Sequence, residues 1–464
     1  MKAEKVRREE LQKAAVEALV RDRFVMVNWG TGVGKSRVAI EAIDRLFAED
    51  TLQVLLLVDQ GIHKDNWLNE FVECKGEERG RRLYDSVTVE CYASLPKYEG
   101  TEWDLIVADE AHHLRSDNRV ALLSTLRTLR MLCLSATISC KGDGENLLQT
   151  LNENFGKFTT LEFGLQDAID NEILPEPTIH VHVLPLQDLK VTQDVTEGWG
   201  PSAKRVDMTV PYAERNLYRD KNRYPAMNLT LKCTVAEAYE YYKEQGEAAK
   251  KRYKEMRENA GLAPGTPDSS PVMEMWGNRQ KRCGLLAKNV IGKGKTKFAG
   301  WLVRHLADRK FICFCTDVEQ ALELGGDNVI CNEVQDSDAV VAAFNAGEKT
   351  SLFAVNMAIE GQNLCGIEAG IVVQLAGKDR KFIQEFGRAM RAKDPQQHII
   401  VIDGTKDVEY LRNAVATVSK DYIRVKGYGS YKDRKMTLDD LRDGREAVAA
   451  ARKEAGKAIF GGLS

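Results

Sequence analysis

Apolar residues along this chain fall into strand-sized runs separated by stretches of helical spacing. Phe24-Val25-Met26-Val27-Asn28 is apolar and rich in β-branched residues, and Val38, Ala39, Ala42, Ile43 and Leu46 follow at the spacing of a helix. Val54-Leu55-Leu56-Leu57-Val58-Asp59 predicts a second buried strand, followed by a helix holding Asn66-Trp67-Leu68-Asn69-Glu70-Phe71. Val87-Thr88-Val89-Glu90-Cys91-Tyr92, Trp103-Asp104-Leu105-Ile106-Val107-Ala108 and Leu132-Cys133-Leu134-Ser135-Ala136-Thr137 predict further strands. Strands alternating with helices predict an α/β lobe built on a parallel sheet. The pattern returns later in the chain. Residues 310–315, 351–355, 370–375 and 398–403 read as strands, and 318–324 and 382–391 as helices.

Between the two sets the period changes. Residues 173–177, with two prolines, read as the exit from the first lobe, and 178–183 alternate as a strand. Val235, Tyr239, Tyr242, Gly246, Ala249, Tyr253 and Met256 recur at spacings of four and three, which predicts a long helix with one apolar seam. Its other faces carry Lys250, Lys251, Arg252, Lys254 and Arg257, read most simply as a solvated surface. Residues 263–271 read as a loop, 280–287 as a returning helix, and a second α/β segment is expected from near Lys295. The expected organisation is a first lobe over 1–180, a mainly helical insertion over 181–290, a second lobe over 291–420, and a basic and aromatic loop with a C-terminal helix over 421–464.

A length of 464 residues suits two domains with added elements, and 43% hydrophobic with 29% charged residues is an ordinary globular composition. No apolar run is long enough to span a membrane, and the first residues lack the apolar core of a secretory signal. Ten cysteines include no Cys-x-x-Cys pair, and Cys133, Cys313, Cys315 and Cys331 lie in strand-like runs, so buried free thiols are expected rather than zinc or disulfides. The net charge of -3 provides no global attraction to polyanions, so any such site must be local.

The candidate chemistry lies at strand ends. Trp29-Gly30-Thr31-Gly32-Val33-Gly34-Lys35-Ser36 stands between a strand and a helix, the setting in which a glycine loop wraps a polyphosphate. Thr31, Gly32, Val33 and Gly34 would line the phosphates, Lys35 would reach the β- and γ-phosphates, and the Ser36 hydroxyl would bind Mg²⁺. The strict pattern opens with glycine where this chain has Trp29. Asp109-Glu110 closes another strand, where one carboxylate can hold Mg²⁺ and the other can orient and deprotonate water. Gln12 carries an amide that suits an adenine edge, and Arg388 and Arg391, three apart on a helix, suit a γ-phosphate. Arg424 to Lys435 mixes basic and aromatic residues, a composition that can stack bases but is more simply a solvated loop.

In order, Gln12, the glycine loop, Asp109-Glu110-Ala111-His112, Ser135-Ala136-Thr137, Gly361-Gln362-Asn363-Leu364 and Gln384-x-x-Gly387-Arg388-x-x-Arg391 resemble the motifs of superfamily 2 helicases and translocases. Asn66-Trp67-x-x-Glu70 and Asp109-Glu110-Ala111-His112-His113-Leu114 look like Swi/Snf-type motors. Ser135-Ala136-Thr137 and Glu360-Gly361-Gln362-Asn363-Leu364 look more like the type III restriction and phage helicase branch. The resemblance implies two RecA-like lobes with ATP between them. Lys35, Ser36 and Asp109 would hold phosphates and Mg²⁺, Glu110 would be the general base, and Gln12 would read adenine. His112, Ser135 and Thr137 would couple the nucleotide state to movement, while Gly361, Asn363, Gln384, Arg388 and Arg391 would approach from the second lobe. Where many family members have a threonine that contacts nucleic-acid phosphate, this chain has Val355. The implied activity is an ATP-dependent DNA helicase. A duplex translocase, an RNA helicase and an ATP-gated clamp are the alternatives. The expected partner is nucleic acid, DNA before RNA, with no membrane and with the insertion as a surface for a protein partner. The expected setting is a monomer in the cytoplasm of a bacterial or phage-infected cell.

Overall fold

The computed structural model describes residues 7–48, 52–115, 117–136, 147–189, 191–197, 204–210, 213–217, 229–263, 266–331, 337–355, 364–375, 392–416 and 418–443. The first sheet contains β1 (Phe24–Trp29), β2 (Val54–Val58), β3 (Val87–Cys91), β4 (Glu102–Ala108), β5 (Arg127–Ser135) and β6 (Thr159–Phe163), in the spatial order β3-β2-β4-β5-β1-β6. All neighbouring pairs are parallel. Every residue of β2 is buried, as a parallel strand covered on both faces requires.

Among the described residues, seven α-helices accompany this sheet: α1 (Arg8–Asp22), α2 (Lys35–Phe47), α3 (Ile62–Lys75), α4 (Glu77–Asp85), α5 (Asp117–Leu123), α6 (Leu147–Phe155) and α7 (Leu165–Asp170). The apolar stripe of α2, including Val38, Ala39, Ala42, Ile43 and Leu46, is buried in one core with Ala15 and Leu19 of α1, as the spacing predicts.

The chain then enters the second sheet at once. β7 (Thr178–Pro185) lies beside a much later strand, with His180 opposite His398 and Val181 opposite Ile399. An insertion follows, made of two antiparallel hairpins and two long helices. The hairpins pair β8 (Val191–Glu197) with β9 (Lys204–Val210) and β10 (Ala213–Leu217) with β11 (Leu229–Cys233). The helices are α8 (Val235–Asn259) and α9 (Pro271–His305). The Thr234 hydroxyl accepts from Glu237 N at 3.1 Å while the Glu237 carboxylate accepts from Thr234 N at 2.7 Å, a reciprocal cap that sets the start of α8.

Helix α9 runs through Lys295, near which the second α/β segment is expected, and the next strand begins at Phe311. Two glycines within α9 are points of close packing. A Cβ on Gly292 would lie 2.6 Å from Thr316, and one on Gly294 would lie 2.9 Å from Leu189.

The second sheet continues with β12 (Phe311–Cys315), β13 (Val329–Ile330), β14 (Ser351–Val355), β15 (Ala369–Val372), β16 (Gln396–Asp403) and β17 (Ile423–Gly427), flanked by α10 (Val318–Gly325), α11 (Ser337–Asn345) and α12 (Lys406–Ala414). The order is β13-β14-β12-β15-β16-β7-β17, again parallel throughout. The architecture is therefore two parallel α/β lobes in tandem, consistent with RecA-like domains. Residues 398–403 do not close the second lobe, since β7 and β17 extend the sheet beyond them. The stretch read as a basic and aromatic loop begins with edge strand β17, which buries Ile423 and Gly427 and exposes Arg424 and Lys426. The expected helix from 438 starts as a single 3₁₀ turn, Leu438–Asp440, and residues 444–464 lie outside the described residues.

Cys133, Cys313, Cys315 and Cys331 are buried free thiols, as expected. Among the described residues no helix is long and apolar enough to cross a membrane.

Candidate active site

The glycine loop begins where β1 ends. Trp29 is buried in the first-lobe core, so the residue that departs from the strict pattern serves packing. Gly30 makes the close approach instead. Its N–H donates to Phe163 O at 2.8 Å, and a Cβ there would lie 3.2 Å from Leu165 N. Gly32 and Gly34 have φ of 87° and 102°, a region that side chains strongly disfavour. Lys35 opens α2, and its ammonium folds back across the loop, 3.1 Å from Trp29 O and 3.5 Å from Gly30 O. Thr31 and Ser36 are half-buried and Val33 is fully buried. The buried Gln12 amide donates to the carbonyls of Val33 and Gly34, each at 3.4 Å. α1 thus holds the loop from behind, and any Cβ on Gly34 would collide with the Gln12 amide.

Register brings the other candidates to the same edge. β5 lies between β1 and β4, Asn28 is opposite Ser135, and Ala108 is opposite Cys133. The loop after β1, Ser135 at the end of β5 and Asp109 just after β4 therefore converge at the carboxyl ends of adjacent strands, where open α/β sheets bind ligands.

Asp109 is held on every side. Its Oδ2 accepts from the Trp67 indole at 2.9 Å, and its Oδ1 accepts from Glu110 N at 3.0 Å. Its N–H donates to Leu57 O at 2.9 Å, and its carbonyl accepts from the Tyr92 hydroxyl at 2.6 Å. Burial, together with the neighbouring Glu110 charge, raises the Asp109 pKa to about 6, against the pull of Trp67, His63 and Lys35. Glu110 goes the other way. Burial pushes its pKa up, but His112 and Lys35 outweigh this and hold the carboxyl low. Glu110 has φ 45°, a left-handed conformation uncommon outside glycine, of the kind that collects at functional sites.

The fully interior His112 places Nδ1 3.2 Å from Glu110 Oε2 and 3.3 Å from Ser135 Oγ, so it links the ends of β4 and β5. His113 stands 3.3 Å from Asp59, and burial lowers its pKa to about 4, helped by His112 and Arg119. It is neutral near pH 7.

Gln12, Lys35, Asp109, Glu110, His112 and Ser135 are thus brought together by the first lobe. Thr137, Gly361, Asn363, Gln384, Arg388 and Arg391 lie outside the described residues. Sequence reasoning gave no role to Trp67 or Tyr92, whose polar atoms reach Asp109. The Asn66-Trp67 pair carried the resemblance to Swi/Snf-type motors, whereas the hydroxyl of Tyr92 gave no signal beyond its place at a strand end. Among the described residues, no group of three or more His, Cys, Asp or Glu could hold a metal. Ser36 and Asp109 are hard oxygen donors of the kind that Mg²⁺ takes beside phosphate oxygens.

Residues 5–140 match the family model of the type III restriction enzyme res subunit. No curated protein matches the chain significantly. Among solved structures, the chain is similar to the Hef helicase domain of Pyrococcus furiosus, with 12% identity and a TM-score of 0.48 over 88% of this chain and 99% of that one. It is also similar to LlaBIII, an ATP-dependent type ISP restriction-modification enzyme bound to DNA, with 11% identity and a TM-score of 0.51. That match covers 92% of this chain but 32% of LlaBIII, so the chain spans about a third of that protein. The match of the first lobe to a type III restriction enzyme res subunit model, and the two parallel α/β lobes that follow one another in the chain, agree with the resemblance to superfamily 2 helicases that the ordered motifs carry.

Proposed function

We propose that the chain is an ATP-dependent DNA helicase, a motor that uses ATP hydrolysis to move along DNA and separate its strands. The observation that carries this reading is the convergence of Lys35 with the half-buried Asp109-Glu110 pair, whose ionisation Lys35 favours, at one edge of the first sheet. In this reading the loop from Thr31 to Ser36 binds the triphosphate, and Lys35 leaves its two carbonyl partners to meet the β- and γ-phosphates. Ser36 and Asp109 hold Mg²⁺, which when bound neutralises phosphate charge. Glu110, kept ionised, orients and deprotonates the attacking water. Gln12, whose amide holds the Val33 and Gly34 carbonyls, contacts adenine only once it leaves them. His112 and Ser135, with Thr137, report the state of the γ-phosphate to neighbouring strands. Gly361, Asn363 and Gln384 meet the nucleotide from the second lobe, where Arg388 and Arg391 act as fingers, so turnover requires lobe closure.

ATPase rates with single-stranded DNA, blunt duplex, forked DNA and RNA, followed by strand displacement on whichever stimulates, test the proposal. Stimulation with strand separation on DNA is expected. Stimulation by duplex without separation would favour a translocase, stimulation by RNA alone an RNA helicase, and no stimulation by any polynucleotide an ATP-gated clamp.

A further inference from the structure

Helices α8 and α9 pack as an antiparallel hairpin, and their shared seam places Gly246 against Cys283, where a Cβ on the glycine would lie 3.4 Å from the cysteine Cβ. The hairpin is far more basic than the rest of the chain. Residues 250–257 and 279–288 together carry nine lysines or arginines and one carboxylate, Glu255, in a chain whose net charge is -3. Over its whole length α9 contains a single acidic residue, Glu274.

The charges are ordered on the hairpin surface. Ala249 and Cys283 are buried at the seam, and each helix turns about 100° per residue. In an antiparallel pair, the residues that follow seam positions on the two helices emerge on the same side. Lys250 follows Ala249, and Gly284 follows Cys283. Lys254 lies one turn beyond Lys250, and Lys281 and Lys288 flank Gly284 at three and four residues, so these five positions share one side. Lys250, Lys254, Lys281 and Gly284 are exposed and Lys288 is half-buried. Lys254 also lies 3.4 Å from Glu258.

Gly284 separates this side from an ordinary solvated face. A glycine inside a helix costs stability, and it is usually retained where packing leaves no room for a side chain. Here a Cβ would meet nothing within 4 Å. Its neighbours on α9 show the contrast, since Gly277, Gly292 and Gly294 each have a side chain within 3.1 Å of the Cβ position. What Gly284 provides is a flat spot between lysines, open to a close approach from outside.

We propose that this side of the hairpin binds the sugar-phosphate backbone of nucleic acid, with the backbone crossing α9 at Gly284 and phosphates meeting Lys250, Lys281 and Lys288. The proposal rests on the motor reading above and assigns to the insertion a grip on the substrate separate from the nucleotide site. Base identity plays no part in such a contact, so binding is salt-dependent and insensitive to sequence.

Anisotropy of fluorescein-labelled duplex and single-stranded DNA, titrated with the full chain over a NaCl series, tests it. Replacing Lys250, Lys281 and Lys288 together by Ala should reduce the slope of log K against log salt by about 2.7 on duplex and about 2 on single strands. The ATPase rate without polynucleotide should not change. Gly284→Ala should raise the melting temperature yet weaken DNA binding severalfold, a combination that a purely structural glycine does not produce. An unchanged slope in the triple variant, or unchanged DNA affinity in Gly284→Ala, overturns the proposal while leaving the motor intact. If the wild-type chain binds no polynucleotide at any salt, the motor reading falls and this proposal falls with it.

Discussion

The indole N–H of Trp67 on α3 donates to Asp109 Oδ2 at 2.9 Å, which joins the helix after β2 to the carboxylate at the end of β4. Trp67 is almost fully buried and packs against Phe71 with ring centroids 6.1 Å apart, so the donor is held firmly. Partners that orient a metal-binding carboxylate set how well it holds the ion. Trp67→Phe keeps the ring and removes the N–H. It should weaken Mn²⁺ binding in the presence of ATP by about tenfold, read by electron paramagnetic resonance, with nucleotide affinity in the absence of metal unchanged. Wild-type metal affinity would show that the bond serves only packing.

Lys35→Ala should abolish turnover and weaken ATP binding, because the ammonium is the group proposed to meet the β- and γ-phosphates. Arg388→Ala should leave ATP binding intact and lower kcat by about 10³-fold or more, the usual contribution of an arginine finger. Equal loss of nucleotide affinity in the two variants, measured by calorimetry, would contradict the finger role.

Lys295 and Asp407 form an ion pair of 2.6 Å in which both side chains are buried. The ammonium also donates to Val373 O at 2.8 Å and Gln374 Oε1 at 3.1 Å, and Gln374 in turn donates to Asp407 Oδ1. Burial lowers the lysine pKa, opposed by Asp407. Lys295→Met strands a buried carboxylate and should cost about 3–5 kcal/mol of stability in urea unfolding. A loss under about 1 kcal/mol would mean that water or a rearrangement relieves Asp407.

A buried histidine cluster should make the second lobe sensitive to acid. His182 Nε2 lies 3.1 Å from His398 Nδ1, and His182 Nδ1 lies 3.0 Å from the Tyr428 hydroxyl. Burial lowers the pKa of His182 to about 3 and that of His398 to about 2, assisted in each case by neighbouring histidines. In the unfolded chain both bind protons near pH 6.5. The folded pKa values lie below the unfolded ones, so this contribution is complete above about pH 6.5 and is lost as the pH falls toward 3. Each histidine adds about 1.4 kcal/mol per pH unit to that loss. His398→Gln should flatten the fall in stability between pH 6 and 5, and an unchanged slope would show that the cluster is protonated in the folded state.

Much of this molecule can be read in its sequence, because buried parallel strands need unbroken apolar runs. β1, β2 and β12 are largely such runs, and the candidate residues Lys35 and Asp109 follow the ends of β1 and β4. Elements that break the rule are harder to see. β17 is short and at an edge, with only Ile423, Val425 and Gly427 alternating against Arg424 and Lys426, so its charges resemble a loop. Gly292 and Gly294 lie inside α9, and only the three-dimensional neighbours Thr316 and Leu189 explain them. Placing β7 and β17 together required pairing across more than 200 residues, which no local pattern specifies. The Trp67 bond to Asp109 was hidden for a similar reason: the motif gave the residue but not the direction of its N–H.

Single-turnover hydrolysis of ATP by Glu110→Gln tests the central claim most directly, because Glu110 is the group assigned to activate water. The account predicts that the variant binds ATP as tightly as the wild-type chain while hydrolysis slows by about 10²- to 10⁴-fold. Hydrolysis at the wild-type rate would contradict it.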